Sequence, residues 1–297
     1  MTPPPAFEHL TYAREGRIAF ITLNRPERLN AIARGMPREI AAAVEHANFD
    51  HEAHVIVLQG AGKGFCGGYD LTEFAERRSA NDPAAEATDA AGRPWDPMVD
   101  FGMMHANTQD FMSLWRSHKP TIAKVHGAAV AGGSDIALCC DLVVMAEDAR
   151  IGYPPARVWG CPTTAMWVYR LGPERAKRML LTGDLVSGRE AAAMGLVLEA
   201  VPAEALDARV RALAERMAGV PRNQLMMQKL LVNQAYANMG LETTQMFATL
   251  FDGTARHRPE GMWFKRRAEE AGFKQAVGER DGGGPIAEGV SRDPWRF

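Results

Sequence analysis

The stretch GAAVAGGSD at residues 127–135 decides the fold, because it joins a predicted strand at residues 120–125 to a short helix predicted over residues 133–140. A second glycine-rich stretch, GFCGGYDL at residues 64–71, follows another apolar run at residues 54–59. Glycines let the backbone turn sharply and approach a ligand closely. Two strand ends therefore carry loops in which backbone groups, rather than side chains, face the solvent.

Either glycine stretch alone indicates no more than a turn. A helix N-terminus, however, presents N–H groups that have no partner within the helix, together with a partial positive charge. Two such N–H groups that converge on one oxygen form an oxyanion hole. The rival nucleotide-binding motifs do not fit, since the sequence has no G-x-G-x-x-G in a first βαβ unit and no Gly-Lys-Ser/Thr loop.

The rest of the chain alternates between strand and helix patterns. Strands are predicted at residues 18–23, 54–59, 120–125 and 142–146, with a helix at residues 36–47. This alternation predicts an α/β core over residues 1–200. Residues 77–97 lack periodicity and predict a mobile loop, and an amphipathic helix follows over about residues 100–115. Residues 201–297 predict a helical C-terminal oligomerisation region with a loose tail.

Composition narrows the classes of function. The formal net charge of −2 argues against a general electrostatic grip on nucleic acid. No run reaches the ~20 apolar residues of a membrane helix, and the N-terminus does not resemble a signal peptide. A cytoplasmic protein without a membrane partner is expected. The four cysteines lack metal-ligand spacing and predict buried free thiols, so no metal site is predicted.

Taken together, the motifs resemble the crotonase (enoyl-CoA hydratase/isomerase) family. The resemblance rests on order and spacing across about residues 8–280. Its segments are the two glycine stretches, NRPERLNA at 24–31, CDLVVMA at 140–146, LLTG at 180–183 and AMGLV at 193–197. The resemblance implies a spiral of β-β-α units, a helical C-terminal region, and homotrimers that often pair into hexamers. It also implies an acyl-CoA thioester substrate that brings coenzyme A with it, with no permanently bound cofactor.

The resemblance also implies roles for individual residues. The oxyanion N–H donors are expected at Tyr69 and Gly132. Coenzyme A is expected to lie across the N-terminal loop and the first glycine stretch, with Phe264 and Lys274 reaching it from a neighbouring subunit. The contacts implied in that loop and stretch are Arg25, Arg28, Ala31, Gly68, Asp70 and Leu71. For the basic residues among them, a solvated surface charge is the alternative.

The acid–base residues depart from the family pattern. Hydratases of the family use two glutamates; here the first position holds Asp135, and the second falls on Pro155 or Ala156, neither of which can move a proton. Asp is about 1.5 Å shorter than Glu, and a misplacement of ~1 Å can cost about a hundredfold in rate. Asp135 is therefore expected to be the acid that the enzyme cannot lose, against the alternative that it only stabilises the start of a helix. Tyr153 is a second candidate acid, with packing as its alternative.

Three hypotheses about function follow. The first is an enoyl-CoA hydratase, a lyase of fatty acid metabolism. The second is another crotonase reaction, isomerisation or hydrolysis, that recruits Tyr153, His105 or Asp100. The third is an acyl-CoA binder without turnover, since fold does not fix function. His118 is a further candidate for substrate contact, whereas His126 is expected to make a structural hydrogen bond.

Overall fold

The structure, a computed structural model, describes residues 5–76, 96–282 and 286. The loop predicted over residues 77–97 and the predicted loose tail lie almost wholly outside the described residues. Within them the protein is a mixed α/β structure with a mainly parallel sheet and many helices, which confirms the predicted fold class.

Nine strands form two sheets in the described part of the chain. Their bounds are β1 Leu10–Glu15, β2 Ile18–Leu23, β3 Val55–Gly60, β4 Thr121–Val125, β5 Ala128–Val130, β6 Leu142–Ala146, β7 Arg150–Gly152, β8 Leu185–Ser187 and β9 Glu199–Val201. The larger sheet has the order β1-β2-β3-β4-β6-β9 and is parallel except for the β1–β2 hairpin. The smaller sheet, β5-β7-β8, lies at the ends of β4 and β6 along the chain.

Twelve α-helices are described. They are α1 Met36–Phe49, α2 Pro97–Phe111, α3 Ser113–Arg116, α4 Gly132–Leu138, α5 Met166–Leu171, α6 Pro173–Thr182, α7 Gly188–Ala193, α8 Leu206–Ala218, α9 Arg222–Asn238, α10 Leu241–His257, α11 Pro259–Ala271 and α12 Phe273–Asp281. Helix α8 packs on β3, β4 and β6, so the first helix after residue 200 covers the large sheet. Helix α10 packs along α2.

Burial explains which strands the sequence revealed. The first four residues of β3 are fully buried, so this strand is an uninterrupted apolar run, as expected for a central parallel strand. Strand β1 was not predicted, because it is an edge strand whose residues are mostly exposed and therefore polar. The short strands of the smaller sheet have three residues each, too few for a readable pattern.

Two further expectations can be compared with the described residues. All four cysteines are free thiols; Cys66, Cys139 and Cys140 are buried, and Cys161 is partly buried, so burial is confirmed for three of them. None of the described helices combines the length and the apolar character that a membrane crossing requires.

Candidate active site

A cavity of about 1280 Å³ opens between the two glycine stretches and the C-terminal helices. The first stretch contributes Tyr69, and the second contributes Gly132 at the start of α4. Further walls come from helices α2, α10 and α12, from the N-terminal loop at residues 27–34 and from the segment at residues 153–160. The cavity is large enough for an elongated ligand, and its lining combines a few polar groups with apolar side chains, as in ligand-binding sites.

Each glycine stretch presents a backbone N–H group on the cavity wall that has no acceptor among the described residues. The two groups belong to Tyr69 and to Gly132. The neighbouring N–H groups are engaged: Asp70 donates to the Ile32 carbonyl at 3.1 Å, and Ala131 donates to the Gly152 carbonyl at 2.9 Å. An unpaired N–H group at the wall of a cavity is a ready donor for a ligand oxygen.

The backbone around these N–H groups is tightly fitted. A side chain on Gly132 would meet the Ile32 side chain at 2.7 Å and the Tyr69 ring at 3.0 Å. A side chain on Gly68, at φ 94°, would lie 2.9 Å from the Ala131 methyl group. Ala131 itself has φ 53° and ψ −126°, a conformation that L-residues rarely adopt. Such strain is typical of sites where the backbone is held for function.

The Tyr69 side chain is fixed beside its own N–H group. Asn107 of α2 donates a hydrogen bond to the Tyr69 hydroxyl at 3.3 Å, and the Phe74 ring packs edge-on at 5.5 Å. Burial raises the pKa of Tyr69, so its hydroxyl stays protonated at neutral pH. The residue therefore supplies a neutral wall and a backbone donor.

The N-terminal loop is joined to the first glycine stretch by polar contacts. Arg25 pairs with Asp70 at 3.0 Å and does not line the cavity, so its charge is used within the fold. Asn30 is fully buried and donates from its side chain to the carbonyls of Ala61 and Gly64, each at 2.8 Å. The remaining predicted coenzyme A contacts that do line the cavity are Arg28, Ala31, Asp70 and Leu71, whereas Gly68 lies behind the wall.

The two C-terminal residues that were predicted to reach coenzyme A from another subunit differ in their placement. Lys274 of α12 is exposed and lines the cavity of its own chain. Phe264 of α11 is fully buried between Trp159, whose ring is 5.2 Å away, and Arg280, which lies over the ring at 5.3 Å. The Phe264 ring therefore packs inside its own subunit and offers no exposed face.

Asp135 lies in α4 behind the cavity wall. It is buried, and the Thr164 hydroxyl donates a hydrogen bond to its Oδ1 at 2.7 Å. Burial raises the pKa of Asp135 to about 8, with Thr164 opposing the rise and the charge of Asp252 adding to it. Asp135 therefore holds a proton at neutral pH, as a general acid must.

The position of the second family glutamate has no titratable group. Pro155 lines the cavity, and Ala156 packs against the core. Tyr153 also lines the cavity, but its hydroxyl donates to the Cys161 carbonyl at 2.9 Å, and burial holds the pKa of Tyr153 well above its ordinary value. The hydroxyl is thus committed to a structural bond.

An ion cluster at one end of the cavity was not foreseen. Arg256 of α10 pairs with Asp252 on the same helix and donates to both Asp100 oxygens at 2.8 Å. All three residues line the cavity, and both carboxylates are buried. The Cys161 N–H group also donates to Asp252 at 3.0 Å. Burial raises the pKa of Asp252, and the ion pair with Arg256 opposes that rise.

Sequence periodicity gave no signal for this cluster, because it predicts that the apolar face of α10 is the buried one. In the structure Gln245, Thr249 and Asp252 share the buried face of α10, and Arg256 follows Asp252 four residues later. A helix that buries its polar residues is unusual, and these residues meet other polar groups inside the protein. The four-residue spacing of Asp252 and Arg256 could be read from the sequence, but the partner on α2 could not.

The candidate histidines lie away from the cavity wall. His105 stacks on Phe101 of α2 with ring centroids 5.4 Å apart, and His118 is exposed. His126 Nε2 lies 2.9 Å from the Gly62 carbonyl oxygen, which is the structural contact expected for it. Among the described residues, one further group has metal-ligating side chains close together, Glu8, His9 and Glu39. Both Glu39 oxygens accept backbone N–H groups there, so they tie the start of the chain to α1.

Comparison with known proteins gives consistent matches. A family model described as enoyl-CoA hydratase/isomerase matches residues 13–272. The crystal structure of an enoyl-CoA hydratase from Mycobacterium smegmatis is 48% identical, with a TM-score of 0.87 over 93% of this chain and 94% of that one. EchA13 of Mycobacterium tuberculosis is 34% identical over 84% of this chain and 79% of its own. A crotonyl-CoA hydratase of Syntrophomonas wolfei is 29% identical over 80% of this chain and 84% of its own.

Proposed function

Because the chain belongs to the enoyl-CoA hydratase/isomerase family, we propose that it adds water across the double bond of a 2-enoyl-CoA thioester. The observation that carries the proposal is the pair of unpaired N–H groups of Tyr69 and Gly132 on one cavity wall. Donors aimed at the place where negative charge develops stabilise the transition state, because they need no reorganisation during the reaction.

In the proposed reaction the thioester carbonyl oxygen accepts hydrogen bonds from both N–H groups. Attack of water on the β-carbon moves the double-bond electrons toward that oxygen and forms an enolate. The enolate then takes a proton on its α-carbon. We assign this last step to Asp135, because burial keeps its carboxyl group protonated near neutral pH. Asp135 lies behind the cavity wall, so the step requires its carboxyl group to leave Thr164 and enter the cavity. The reaction is a lyase step of fatty acid metabolism.

Coenzyme A enters as part of the substrate, and the proposal needs no resident cofactor. Arg28, Lys274 and Arg280 line the same cavity and carry positive charge. Cations placed around one cavity favour a ligand that carries phosphate groups. Arg280 also pairs with Asp281 at 2.7 Å, so Arg28 and Lys274 are the stronger candidates.

One observation favours a second candidate function. The position of the second family glutamate falls on Pro155 or Ala156, neither of which can move a proton, and Pro155 lines the cavity. If no other group moves the second proton, a different crotonase reaction, isomerisation or hydrolysis, or acyl-CoA binding without turnover replaces hydration.

The loss of absorbance of the enoyl-thioester band, with crotonyl-CoA and longer enoyl-CoAs, tests the proposal. We expect the parent enzyme to bleach this band. The variant Gly132→Pro removes one donor, and we expect its rate to fall by about 10²–10³.

The controls separate catalysis from folding. Circular dichroism must show that Gly132→Pro keeps its fold, since proline also changes the turn. A folded variant that hydrates at the parent rate contradicts the assigned oxyanion hole. Binding of enoyl-CoA by the parent without bleaching favours the alternatives.

We also propose that the chain forms a homo-oligomer, a trimer or a hexamer. The support is the outward face of α10, where Met246, Phe247, Leu250 and Phe251 are between 40% and 57% exposed. Leu230, Leu231 and Val232 of α9 extend the exposed apolar surface. Exposed large apolar side chains clustered on a helix face, as on α10, are typical of an interface between subunits.

A further inference from the structure

We infer that Asp252 of α10 provides the second carboxylate of the reaction, which the family pattern places at Pro155 or Ala156. This inference rests on the proposed hydration and names the group that completes it. Asp252 and Pro155 line the same cavity. Gly160 links them, because its N–H group donates to the Pro155 carbonyl at 3.0 Å while Asp252 lies against its Cα.

The chain is shaped to admit the Asp252 carboxylate at this place. A side chain on Gly160 would lie 2.6 Å from Asp252 Oδ1, so any other residue there would displace the carboxylate. The preceding residue, Trp159, has φ 100°, which is a rare and strained conformation for a tryptophan. The next N–H group along the chain, that of Cys161, donates to Asp252 Oδ1 at 3.0 Å. The Cys161 N–H group thus holds Oδ1 of Asp252 in the space that glycine at position 160 leaves open.

Arg256 and Asp100 complete this setting. Arg256 pairs with Asp252, and its Nη2 donates to both carboxylate oxygens of Asp100. A side chain on Gly253 would meet Asp100 Oδ2 at 2.2 Å, so glycine is required for Asp100 to approach. Two carboxylates share one guanidinium group, which leaves the cluster with a net negative charge when both are ionised. That charge suits a base that accepts a proton.

A purely structural role, tying α10 to α2, accounts for only part of this arrangement. The contact between Arg256 and Asp100 already joins the two helices. Asp252 adds a buried carboxylate on the cavity wall, close enough that its charge raises the pKa of both Tyr69 and Asp135. Tyr69 carries one of the two unpaired N–H groups, so Asp252 lies near the place assigned to the thioester.

The two carboxyl groups divide the proton transfers. Asp252, whose negative charge Arg256 stabilises, accepts a proton from water as the water oxygen forms its bond to the β-carbon. The double-bond electrons move to the thioester oxygen, which Tyr69 and Gly132 hold. Asp135, which is protonated, gives its proton to the α-carbon as the carbonyl forms again. A proton returned from Asp252 to Asp135 restores the starting state, so the net change is the addition of one water molecule.

The test compares Asp252→Asn with Asp50→Asn in the full-length enzyme acting on an enoyl-CoA that the parent hydrates. Asp50 is a matched control, because it is also buried, pairs with Arg14 at 2.9 Å and accepts a backbone N–H group, that of Glu52, at 2.9 Å. It lies outside the cavity wall. We expect Asp252→Asn to lower kcat by about 10²–10⁴ with KM within a few-fold. Asp50→Asn is expected to lose stability and keep kcat.

The pH profile gives a second readout. In the parent, kcat falls at low pH as the base takes up a proton, and this acidic limb is expected to be absent from the residual activity of Asp252→Asn. Other titratable groups near Asp252 could also shape the pH profile. They are Arg256 on the same helix, Asp100 from α2, and Tyr69, Asp135, Tyr153 and Cys161 from the core side. A merely structural carboxylate would leave the acidic limb in place.

Two outcomes overturn the inference. One is a folded Asp252→Asn enzyme that turns over at the parent kcat. The other outcome concerns Gly160→Ala, which serves if Asp252→Asn does not fold. Gly160→Ala keeps every charge and displaces Asp252 Oδ1, so we expect kcat to fall by about 10–10². A Gly160→Ala enzyme with the parent kcat contradicts the role of Asp252. A parent enzyme that binds enoyl-CoA without hydrating it contradicts the proposed function instead.

Discussion

At the residue scale, Asp135 combines burial with a titrating carboxyl group. Its pKa is raised to about 8 in the folded protein, chiefly by burial, against an ordinary value of 3.8. Between these two pH values the folded state holds a proton that the unfolded state releases. The free energy of unfolding therefore decreases as the pH rises from about 4 to 8, since unfolding relieves the cost of burying the ionised group.

This difference predicts how Asp135→Asn changes stability. The amide does not titrate, so the variant is expected to gain stability relative to the parent as the pH rises, on the order of 2–4 kcal/mol between pH 5 and 8. Urea denaturation at pH 5, 6.5 and 8 measures the two slopes. Parallel curves for parent and variant would show that Asp135 is ionised in the folded protein at all three pH values.

The same variant tests the chemistry. With Asp135 as the acid, Asp135→Asn is expected to lower the hydration rate by about 10²–10⁴, while binding of the CoA ester stays within a few-fold. The steady-state rate and a binding titration give the two numbers. Turnover at the parent rate would remove Asp135 from the reaction and leave Asp252 as the carboxylate to examine.

At the scale of elements, one lysine attaches α9 to the end of the large sheet. Lys229 is buried, and its Nζ donates to the carbonyls of Leu114 and Lys119 at 2.9 and 3.1 Å. It also pairs with Asp141 at 2.8 Å. Burial lowers the pKa of Lys229, and the carboxylate opposes that change. The helix is therefore held by a charge that is expensive to leave without partners.

Replacement of that lysine is expected to be costly. Lys229→Met keeps the chain length of the side chain but leaves two buried carbonyls and Asp141 without this donor. We expect a loss of about 3–5 kcal/mol in the free energy of unfolding by urea denaturation. Lys177→Met is the control, because Lys177 is exposed on α6 and should change stability by less than about 0.5 kcal/mol. Equal effects of the two substitutions would refute the role of Lys229.

At the scale of the whole molecule, α10 buries its polar face and exposes its apolar face, which is the opposite of an ordinary surface helix. Its inner face carries Gln245, Thr249 and Asp252, and its outer face carries Phe247 and Phe251. The polar inner face serves the cavity, whereas the apolar outer face lacks cover within the described chain. One helix thus connects the candidate active site to the proposed subunit interface.

That arrangement predicts the effect of Phe251→Asp. The parent is expected to sediment as a trimer or hexamer, and the variant as smaller species, because a charge at an apolar interface must lose its water. Ala212→Asp is the control, since Ala212 is exposed on a different helix, α8, and the substitution introduces the same charge. Sedimentation velocity at micromolar concentration gives the result. A parent that sediments as a monomer would contradict the proposed oligomer.

The sequence alone determined the α/β core and the placement of the two glycine loops. Apolar strands, such as residues 55–58, are local patterns, and the turns that follow them need glycine for steric reasons that hold within a few residues. The absence of the second family glutamate was also readable, because neither Pro155 nor Ala156, the two residues that can occupy its position, is acidic.

Only the tertiary structure decided which carboxylates face the cavity. Asp100 and Arg256 are separated by 156 positions in the chain, and they meet because α2 and α10 pack side by side. Helical periodicity alone would place Asp252 on the exposed polar face of α10, whereas the structure buries that face, and α10 packs along α2. Asp135 shows the converse: its place in the motif was clear, whereas its burial behind the wall, with Thr164 as hydrogen-bond donor, follows from packing between residues far apart in sequence. Local sequence fixes local conformation, and long-range packing fixes the electrostatic environment on which the chemistry depends.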